Sequence, residues 1–429
     1  MKRQGIISQI IDGLKDMCYI WAREMRNTVH DEGMILFCIF VPLGYPLLYS
    51  WIYNNEVVRE VPTAVVDLSR SHESRQFVRS FDASPDTRAA FFCNSLGEAR
   101  HLVEAQAARG IIYIPADYAT RLNRGEQAHV GVYCDMSLML TYKAIYQTAQ
   151  AVAAKTGARL QAAQPGGVTR RDSEVATGPI ACDEVPIFNA TGGYGNALLP
   201  GVLILILQQT LLLGIGLSAG TARENNRYRE LVPVSRHYNG IFRIVLGKSL
   251  CYLMIYAVMA AYITLCVPRF FHLTTMATAT PLLGLMAPFL LAAVFFGMTL
   301  SCLVRYRENV ILLVVFTSVP LLFMSGISWP QSNIPGVWRA VGALFPSTFG
   351  IRGFLRVNSM GATLADIRQE CLALWIQAAA YFFTACMVYR YQIVRMRDTA
   401  TAHIGGLREK VREARRRKKA AGTNPTAKG

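Results

Sequence analysis

Charged residues are scarce in this sequence. Asp, Glu, Lys and Arg make up 17% of the 429 residues, whereas apolar residues make up 52%. A typical soluble domain carries about 25% charged residues, so the composition argues against a wholly soluble protein. Acidic residues are the scarcer sign, 28 against 44 Lys and Arg. Charges are also essentially absent from the long apolar segments, which argues against a proton-coupled carrier, because such a carrier relies on intramembrane ionisable groups.

Motifs that bind nucleotides or metals are also absent from the sequence. No Gly-x-x-x-x-Gly-Lys-Ser/Thr phosphate loop occurs in the sequence. Gly192-Gly193-x-Gly195 follows no predicted strand, so we interpret it as a flexible segment before an apolar segment rather than as a nucleotide-binding loop. The seven His residues show no His-Glu-x-x-His spacing, and the ten Cys residues show no Cys-x-x-Cys spacing. We therefore expect no catalytic site, no metal site and no cofactor bound by this chain itself.

What the sequence does contain is long apolar segments. Crossing about 30 Å of hydrocarbon takes about 20 mostly apolar residues. Six segments meet this length: Gly33–Tyr53, Leu198–Ala219, Ile244–Val267, Leu282–Val304, Val310–Trp329 and Leu372–Tyr389. They predict an α-helical membrane protein with six transmembrane helices, one at 33–53 and five in the region 198–393.

Positive charge predicts the orientation, because short loops rich in Lys and Arg stay in the cytoplasm. The basic pieces are 1–32, 220–243, 305–309 and everything from Arg390 onward. Both termini are therefore predicted to be cytoplasmic. The tail 394–429 contains Arg415–Lys419, five consecutive bases. Attraction to anionic lipid explains this cluster better than nucleic-acid binding, which stays the weaker alternative.

The segment 1–32 has the pattern of an amphipathic helix rather than a signal peptide. Its apolar residues favour one side: Ile6, Ile7, Ile10, Ile11, Leu14, Met17 and Cys18. Such a helix is predicted to lie in the inner membrane interface. A soluble amphipathic arm is the alternative.

Segment 54–197 alternates strand and helix patterns, which predicts an inserted extracytoplasmic α/β domain. The predicted strands are Val61–Leu68, Arg88–Asn94, Gly110–Ile114 and His129–Asp135, followed by a long helix from about 137 to 164. Asp67, Asp117 and Asp135 come where strands end, which predicts a capping or structural role rather than a catalytic one. Cys93 and Cys134 lie in predicted strands, and free thiols are favoured over a disulfide between them.

Several motifs resemble those of ABC-2 type permeases, the membrane subunits of one class of ABC transporter. They are Ser325-Gly326, Trp329-Pro330, Ile334–Trp338, Phe345–Thr348, Val61–Asp67, Ser95–Ala99, Ile114–Tyr118 and Leu246–Lys248. The resemblance extends to about Arg397. It implies an exporter subunit in a bacterial inner membrane, paired with a second copy or a paralogue and driven by ATP bound to a separate ABC ATPase. It also implies that the extracytoplasmic domain can meet a periplasmic adaptor protein.

The resemblance further implies a coupling loop at 220–243 that contacts the ATPase. The matching residues are Arg223, Glu224, Arg229, Glu230, Leu231 and Pro233. The Gly-Thr pair typical of the family's loop is absent, and Asn226-Arg227-Tyr228 stands in its place. A solvated basic loop is the alternative interpretation, and charge alone does not choose between the two.

Polar residues interrupt the apolar segments, where they are costly. They are Gln208, Gln209, Thr210, Thr299, Ser301, Thr317, Ser318 and Ser325. These side chains either line a substrate path or form hydrogen bonds between helices, and the second interpretation is favoured. Together with the apolar segments, the resemblance to ABC-2 type permeases implies an exporter permease for a hydrophobic or amphipathic substrate. The alternative is a non-transporting receptor or secretion-accessory protein on the same scaffold.

Overall fold

The computed structural model describes residues 6–54, 58–136, 138–162, 188–189, 193–224, 241–301 and 306–392. The chain forms two compact units. One comprises Met1–Asn54 and Gly195–Gly429, and the other comprises Asn55–Tyr194. We call them the membrane unit and the α/β unit.

The membrane unit begins with two helices, α1 at Ile6–His30 and α2 at Glu32–Tyr53. Asp31 separates them because its carboxylate accepts hydrogen bonds from the backbone N–H groups of Gly33 and Met34, as an N-cap does. The predicted N-terminal helix is therefore present. Its location in the membrane interface stays a prediction.

The α/β unit contains β1 at Val61–Asp67, α3 at His72–Asp82, β2 at Thr87–Cys93, α4 at Leu96–Glu104, β3 at Gly110–Ile114, α5 at Tyr118–Asn123, β4 at Gly131–Cys134 and α6 at Met139–Ala162. The sheet order is β2-β1-β3-β4, with β4 antiparallel to its neighbour and the other pairs parallel. All four predicted strands occur. The prediction that this unit is extracytoplasmic is taken up below.

The sheet order decides the pairing of two cysteines. Cys93 ends β2 and Cys134 ends β4, on opposite edges of the sheet. Three inter-strand spacings of about 4.8 Å separate these edges, well beyond the reach of a disulfide. Both thiols are free, which confirms the favoured interpretation.

The strand-end aspartates also have structural roles. Asp67 accepts hydrogen bonds from the N–H groups of Ser69 and Arg70 and from the Ser74 hydroxyl. Asp117 precedes α5 without making a side-chain cap and instead pairs with Arg121. Asp117 therefore has a structural role rather than a capping one, because the guanidinium one turn on takes its carboxylate.

The membrane unit continues with α7 at Tyr194–Glu224, α8 at Ile241–Phe270, α9 at Ala279–Leu300, α10 at Arg307–Met324, α11 at Gly336–Gly342, α12 at Pro346–Met360 and α13 at Arg368–Gln392. Six helices are long and apolar enough to cross a membrane: α2, α7, α8, α9, α10 and α13. The predicted number of spans is therefore confirmed for the part of the chain that the structure describes.

Some predicted span boundaries need correction. The fifth span ends at Met324 rather than Trp329, because Gly326 adopts a φ of +90° that few other residues tolerate, and Pro330 soon follows. The fourth helix ends at Leu300, short of the predicted Val304. The third extends outward at both ends, from Ile241 to Phe270.

The helices differ in how they contribute to the core. Most of α7 and α9 is buried inside the unit, whereas α2 and α10 leave most of their apolar residues exposed. The short helix α12 packs against α9, where Gly350 and Gly353 allow Phe289 and Leu285 to approach closely. The arrangement leaves one side of α2 and α10 free to line a groove, described next.

Candidate functional site

Helix α1 buries a polar face. The described residues that are buried on it are Gly13, Asp16, Ile20, Glu24 and Thr28, spaced three or four positions apart. The predicted apolar side points away from the protein, since Ile11 is 46% exposed and Leu14 is 54% exposed. This distribution is the reverse of that on a helix of a soluble protein, where the apolar stripe faces the core.

Glu24 is the centre of this buried face. One carboxylate oxygen lies 3.0 Å from Lys248 Nζ, and the other accepts hydrogen bonds from Tyr252 Oη at 2.8 Å and Ser218 Oγ at 3.3 Å. Burial by itself raises the pKa of Glu24, but the ammonium of Lys248 and these hydrogen bonds outweigh it and hold the pKa below its ordinary value. Glu24 is thus a charged group that joins α1 to both α7 and α8.

Two further acids extend the contact along α1. Asp16 Oδ2 lies 3.0 Å from Arg243 Nη1, near the start of α8. Asp31 Oδ1 lies 2.9 Å from Arg307 Nη2, at the start of α10, and Asp31 Oδ2 accepts from Thr221 at 3.4 Å. We call these contacts, together with those of Glu24, the acid clamp.

The acid clamp joins the same end of three spans. Its partners lie in the last turns of α7, the first turns of α8 and the first turn of α10. Close packing reinforces it, because a Cβ at Gly247 on α8 would lie 2.9 Å from the Ile20 side chain and 3.1 Å from the backbone oxygen of Met17. Only glycine fits between the helices here without a shift.

The predicted coupling loop connects two of the clamped helices. Arg223 and Glu224 are the last two residues of α7. Arg229, Glu230, Leu231 and Pro233 lie outside the described residues, so their contact with an ATPase stays a prediction. The structure does place the clamp beside both ends of that loop.

A groove of about 420 Å³ runs between α2, α7 and α10. Its lining is Phe37, Val41, Tyr45, Tyr49, Val202, Leu205, Ile206, Gln209, Thr210, Leu213, Ile311, Val314, Val315, Ser318, Val319 and Leu322. None of these side chains is charged. The groove therefore has the size and apolar character of a small-molecule site, with a few polar groups inside it.

Three predicted polar residues line this groove: Gln209, Thr210 and Ser318. Thr210 Oγ1 donates to the backbone oxygen of Ile206 at 2.8 Å, and Ser318 Oγ donates to that of Val315 at 2.8 Å. Both hydroxyl protons are thus used within their own helices. Gln209 differs, because neither its amide nitrogen nor its amide oxygen has a hydrogen-bond partner among the described residues.

The other predicted polar residues lie outside the groove. Gln208 donates to Ser347 Oγ at 3.1 Å, which joins α7 to α12. Thr299 Oγ1 lies 2.8 Å from the oxygen of Phe295 and 3.4 Å from that of Tyr381 on α13. The remaining three donate to backbone oxygens of their own helices: Ser301, Thr317 and Ser325. Hydrogen bonds between helices are therefore made by Gln208 and Thr299.

A family model described as ABC-2 family transporter protein matches residues 33–387. The chain belongs to the ABC-2 transporter family. This confirms the family expected from the sequence motifs and makes the chain a multi-pass membrane component of an ABC transporter. The comparison with curated proteins found no match.

The matched region of this ABC-2 permease begins after α1. The groove lies within it, while Asp16, Glu24 and Asp31 precede it. Family members in general work with an ABC ATPase. No cluster of three or more His, Cys, Asp or Glu side chains able to hold a metal occurs in the described ranges.

Sequence reasoning did not identify the acid clamp. The available signal was the spacing of Asp16, Glu24 and Asp31, eight and seven residues apart, which returns to the same face of a helix. The apolar stripe of α1 indicates the opposite buried face, because an apolar stripe is normally the buried side of a helix. Their basic partners are more than 220 residues away along the chain, so only the fold brings the charges together.

Proposed function

We propose that this chain is the permease subunit of an ABC exporter that moves an apolar or amphipathic molecule outward, using ATP hydrolysed by a separate ATPase. The observation that carries the proposal is the acid clamp, which joins the ends of α7, α8 and α10 beside the loop at 220–243. A subunit driven by a partner needs such a connection between the surface that receives force and the helices that move.

The groove and the clamp share two of their helices. Both involve α7 and α10, so a displacement of the clamped ends changes the spacing between the helices that line the groove. The Glu24–Lys248 pair is largely buried and resists separation, because separation would leave each charge without its partner. The Asp31–Arg307 pair that holds α10 is partly exposed and makes a weaker connection. An ATPase that pulls on the loop after α7 would thus move α10 together with α7 and α8.

The positive-inside rule supports the proposed orientation. The clamp and the basic segments 1–32, 220–243 and 390–429 would face the cytoplasm, and the α/β unit would lie outside, in a bacterial inner membrane. The exposed Ile11 and Leu14 on α1 support an interfacial helix whose apolar side meets lipid. The proposed partners are an ABC ATPase, a second copy or a paralogue, and a periplasmic adaptor at the α/β unit.

The test is a comparison of the chain alone with the chain co-expressed with its ATPase. Because no phosphate loop occurs in the sequence, the purified chain is expected to hydrolyse no ATP above background. Co-expression is expected to give a stable complex that contains two permease subunits. Substantial hydrolysis by the isolated chain, or no ATPase in the complex, would favour the receptor or secretion-accessory alternative.

A loop variant tests where the ATPase binds. Glu230→Lys with Leu231→Asp is expected to leave membrane insertion intact, because neither residue lies in a span, and to abolish co-purification of the ATPase. The matched control is Glu104→Lys with Leu96→Asp on α4 of the α/β unit, where both side chains are exposed. If the control loses ATPase binding and the loop variant keeps it, the ATPase binds the α/β unit rather than the loop at 220–243.

A further inference from the structure

A second groove lies between the first turns of α9 and α13, and we call it the α9–α13 groove. We infer that it holds one anionic phospholipid of the surrounding membrane, with the lipid phosphate at Arg368 and a hydrocarbon chain along α13. The inference concerns a resident lipid rather than the exported molecule, so it goes beyond the proposed function.

The α9–α13 groove is at the opposite end of the spans from the acid clamp. Helix α8 starts at the clamp, and α9 follows it after the short connection 271–278, so α9 starts at the far end. Cys371, in the first turn of α13, places its Sγ 3.8 Å from the backbone oxygen of Gly284 on α9. The two helices therefore start side by side. In the proposed orientation this end faces away from the cytoplasm.

Small residues on α9 open the groove, which has a volume of about 630 Å³. Gly284 and Ala287, one turn apart, line it on one side, and Leu372 and Trp375 of α13 line it on the other. A Cβ at Gly284 would lie 2.5 Å from Leu364 Cδ1, so the absence of a side chain there lets the segment before α13 approach α9. Ala287 is exposed, which leaves the groove open toward the outside of the unit.

The polarity of the lining changes along the groove in the same order as in a phospholipid. Arg368 is the only charged residue among the described residues that line it, and it is the first residue of the span. Cys371, Leu372 and Trp375 follow three, four and seven positions later, on the same face of α13. At a rise of 1.5 Å per residue, Trp375 lies roughly 10 Å further along the helix than Arg368. A charged head group at Arg368 would thus be followed by apolar contacts for the chain.

The charge of Arg368 is available to a ligand. Its side chain is exposed and has no acidic partner within the part of the chain that the structure describes. The neighbouring arginines differ, since Arg352 and Arg356 lie 3.9 Å and 3.1 Å from Glu370 Oε1. Asp366 accepts hydrogen bonds within its own turn and does not line the groove. A free guanidinium matches a phosphate group, which it can bind through two parallel hydrogen bonds.

The surface around the groove is apolar and exposed. Leu283 and Ile376 are each 69% exposed, and Trp375 is 50% exposed. Exposed apolar side chains on a span have hydrocarbon as their surroundings, and tryptophan is enriched where hydrocarbon meets the head groups. A membrane lipid is therefore the occupant that combines an apolar chain with a charge opposite to that of Arg368.

Quenching of tryptophan fluorescence by brominated lipid chains tests the inference. The full chain keeps Trp375 alone through four substitutions: Trp21→Phe, Trp51→Phe, Trp329→Phe and Trp338→Phe. It is placed in vesicles of equal parts phosphatidylcholine and phosphatidylglycerol, with bromine on the chains of one lipid or of the other. Because bromine quenches only a tryptophan that it contacts, the two measurements give the lipid preference at Trp375. We expect phosphatidylglycerol to be preferred about fivefold, the effect of one basic residue near an anionic membrane surface.

Three further substitutions test the residues. Arg368→Gln is expected to remove the preference, whereas Arg269→Gln, an exposed arginine at the same end of the spans but outside the groove, is expected to keep it. Ala287→Phe is expected to reduce quenching by both lipids, because the added ring takes the place of the chain beside Trp375. Native mass spectrometry provides a second readout without the tryptophan substitutions. The wild-type chain is expected to retain one phosphatidylglycerol that Arg368→Gln loses.

The outcomes separate this inference from the proposed function. Equal quenching by the two lipids, or a preference that Arg368→Gln keeps, would overturn the inference. A preference that Arg269→Gln loses equally would also overturn it, since general surface charge would then attract the lipid. Failure of both lipids to quench Trp375 would show that a second copy or another protein covers the groove. Every measurement uses the chain without an ATPase, so failure of the export function would leave these results unchanged.

Discussion

Glu24 is a buried residue whose charge depends on its neighbours. Its carboxylate is surrounded by groups from two other helices, and a buried ion pair of this kind is costly to break from one side only. Serine and threonine residues of the spans are different, since most of them donate to their own helix and depend little on any neighbour. Among the polar side chains named here, the carboxylates of the acid clamp therefore depend most on contacts with other helices.

A double-mutant cycle tests the pair of Glu24 and Lys248. Glu24→Gln is expected to destabilise the purified chain by about 3 kcal/mol, because the Lys248 charge stays buried without its counter-ion. Adding Lys248→Met is expected to recover part of that loss. Thermal unfolding of the full chain in nanodiscs gives the measurement. Glu104→Gln, in the exposed pair with Arg100, is the control and is expected to cost less than about 0.5 kcal/mol. Additive effects of the two substitutions would contradict the pairing.

The same carboxylate predicts a pH dependence. Because folding lowers the pKa of Glu24 below its ordinary value of 4.5, the folded state binds fewer protons at this site than the unfolded state does. The stabilisation from Glu24 is therefore fully present above about pH 4.5 and is lost as the pH falls through the lowered pKa. The difference in unfolding temperature between the wild type and Glu24→Gln is expected to narrow below pH 4.5. A difference in unfolding temperature that widens below pH 4.5 would contradict the lowered pKa of Glu24.

At the scale of elements, α1 joins the other helices through a polar face. Its contact with α8 combines the acid clamp with close backbone packing at Gly247. The exposed apolar side agrees with the proposed position of α1 in the membrane interface. A helix held in this way is fixed in rotation, because turning it would bury the apolar stripe and expose the acids.

Gly247→Ala tests the packing of α1 on α8. The added Cβ would meet the Ile20 side chain and the Met17 backbone, so the helices have to separate. We expect a cost of about 1–3 kcal/mol and faster hydrogen exchange in α1. Gly13→Ala is the control, since its Cβ would meet only the flexible guanidinium of Arg243, at 3.3 Å. Equal exchange in the two variants would show that α1 is held without this contact.

At the scale of the whole molecule, topology is the property on which the proposed function depends most. Single cysteines placed at Lys2, Arg121 and Lys419 on a cysteine-free background test it. Because basic segments flank the spans on one side, labels at Lys2 and Lys419 are expected to react only after the membrane is opened. A label at Arg121 is expected to react in intact spheroplasts. An unreactive Arg121 would overturn the six-span arrangement with an external α/β unit.

The sequence was enough to predict the spans and the strands because each of these has a local signal, whereas α11 and α12 were not predicted. Apolar length identified six spans, and alternation identified four strands. The end of α10 was misplaced because hydropathy continues to Trp329, whereas backbone conformation at Gly326 ends the helix. Local composition does not encode where a helix stops when apolar residues follow it.

The candidate site was only partly predictable. Gln209, Thr210 and Ser318 were identified because polar residues stand out in apolar segments, and all three line the groove. That Gln208 turns instead toward Ser347, 139 residues away, depends on the rotation of α7 and the path of α12. The acid clamp was missed for the same reason, since its charges meet through tertiary structure.

The acid clamp also orders events during synthesis. Asp31 pairs with Arg307, which is made 276 residues later. At a translation rate of roughly 5–20 residues per second, Arg307 is made on the order of 15–55 s after Asp31. Arg243 and Lys248 of α8 are made before Arg307, so Asp16 and Glu24 gain these partners earlier than Asp31 gains Arg307. Until its basic partners are made, α1 is therefore expected to lie at the membrane surface, with its apolar side in the lipid and its carboxylates in water. Assembly of the bundle then ends with the first helix that was made.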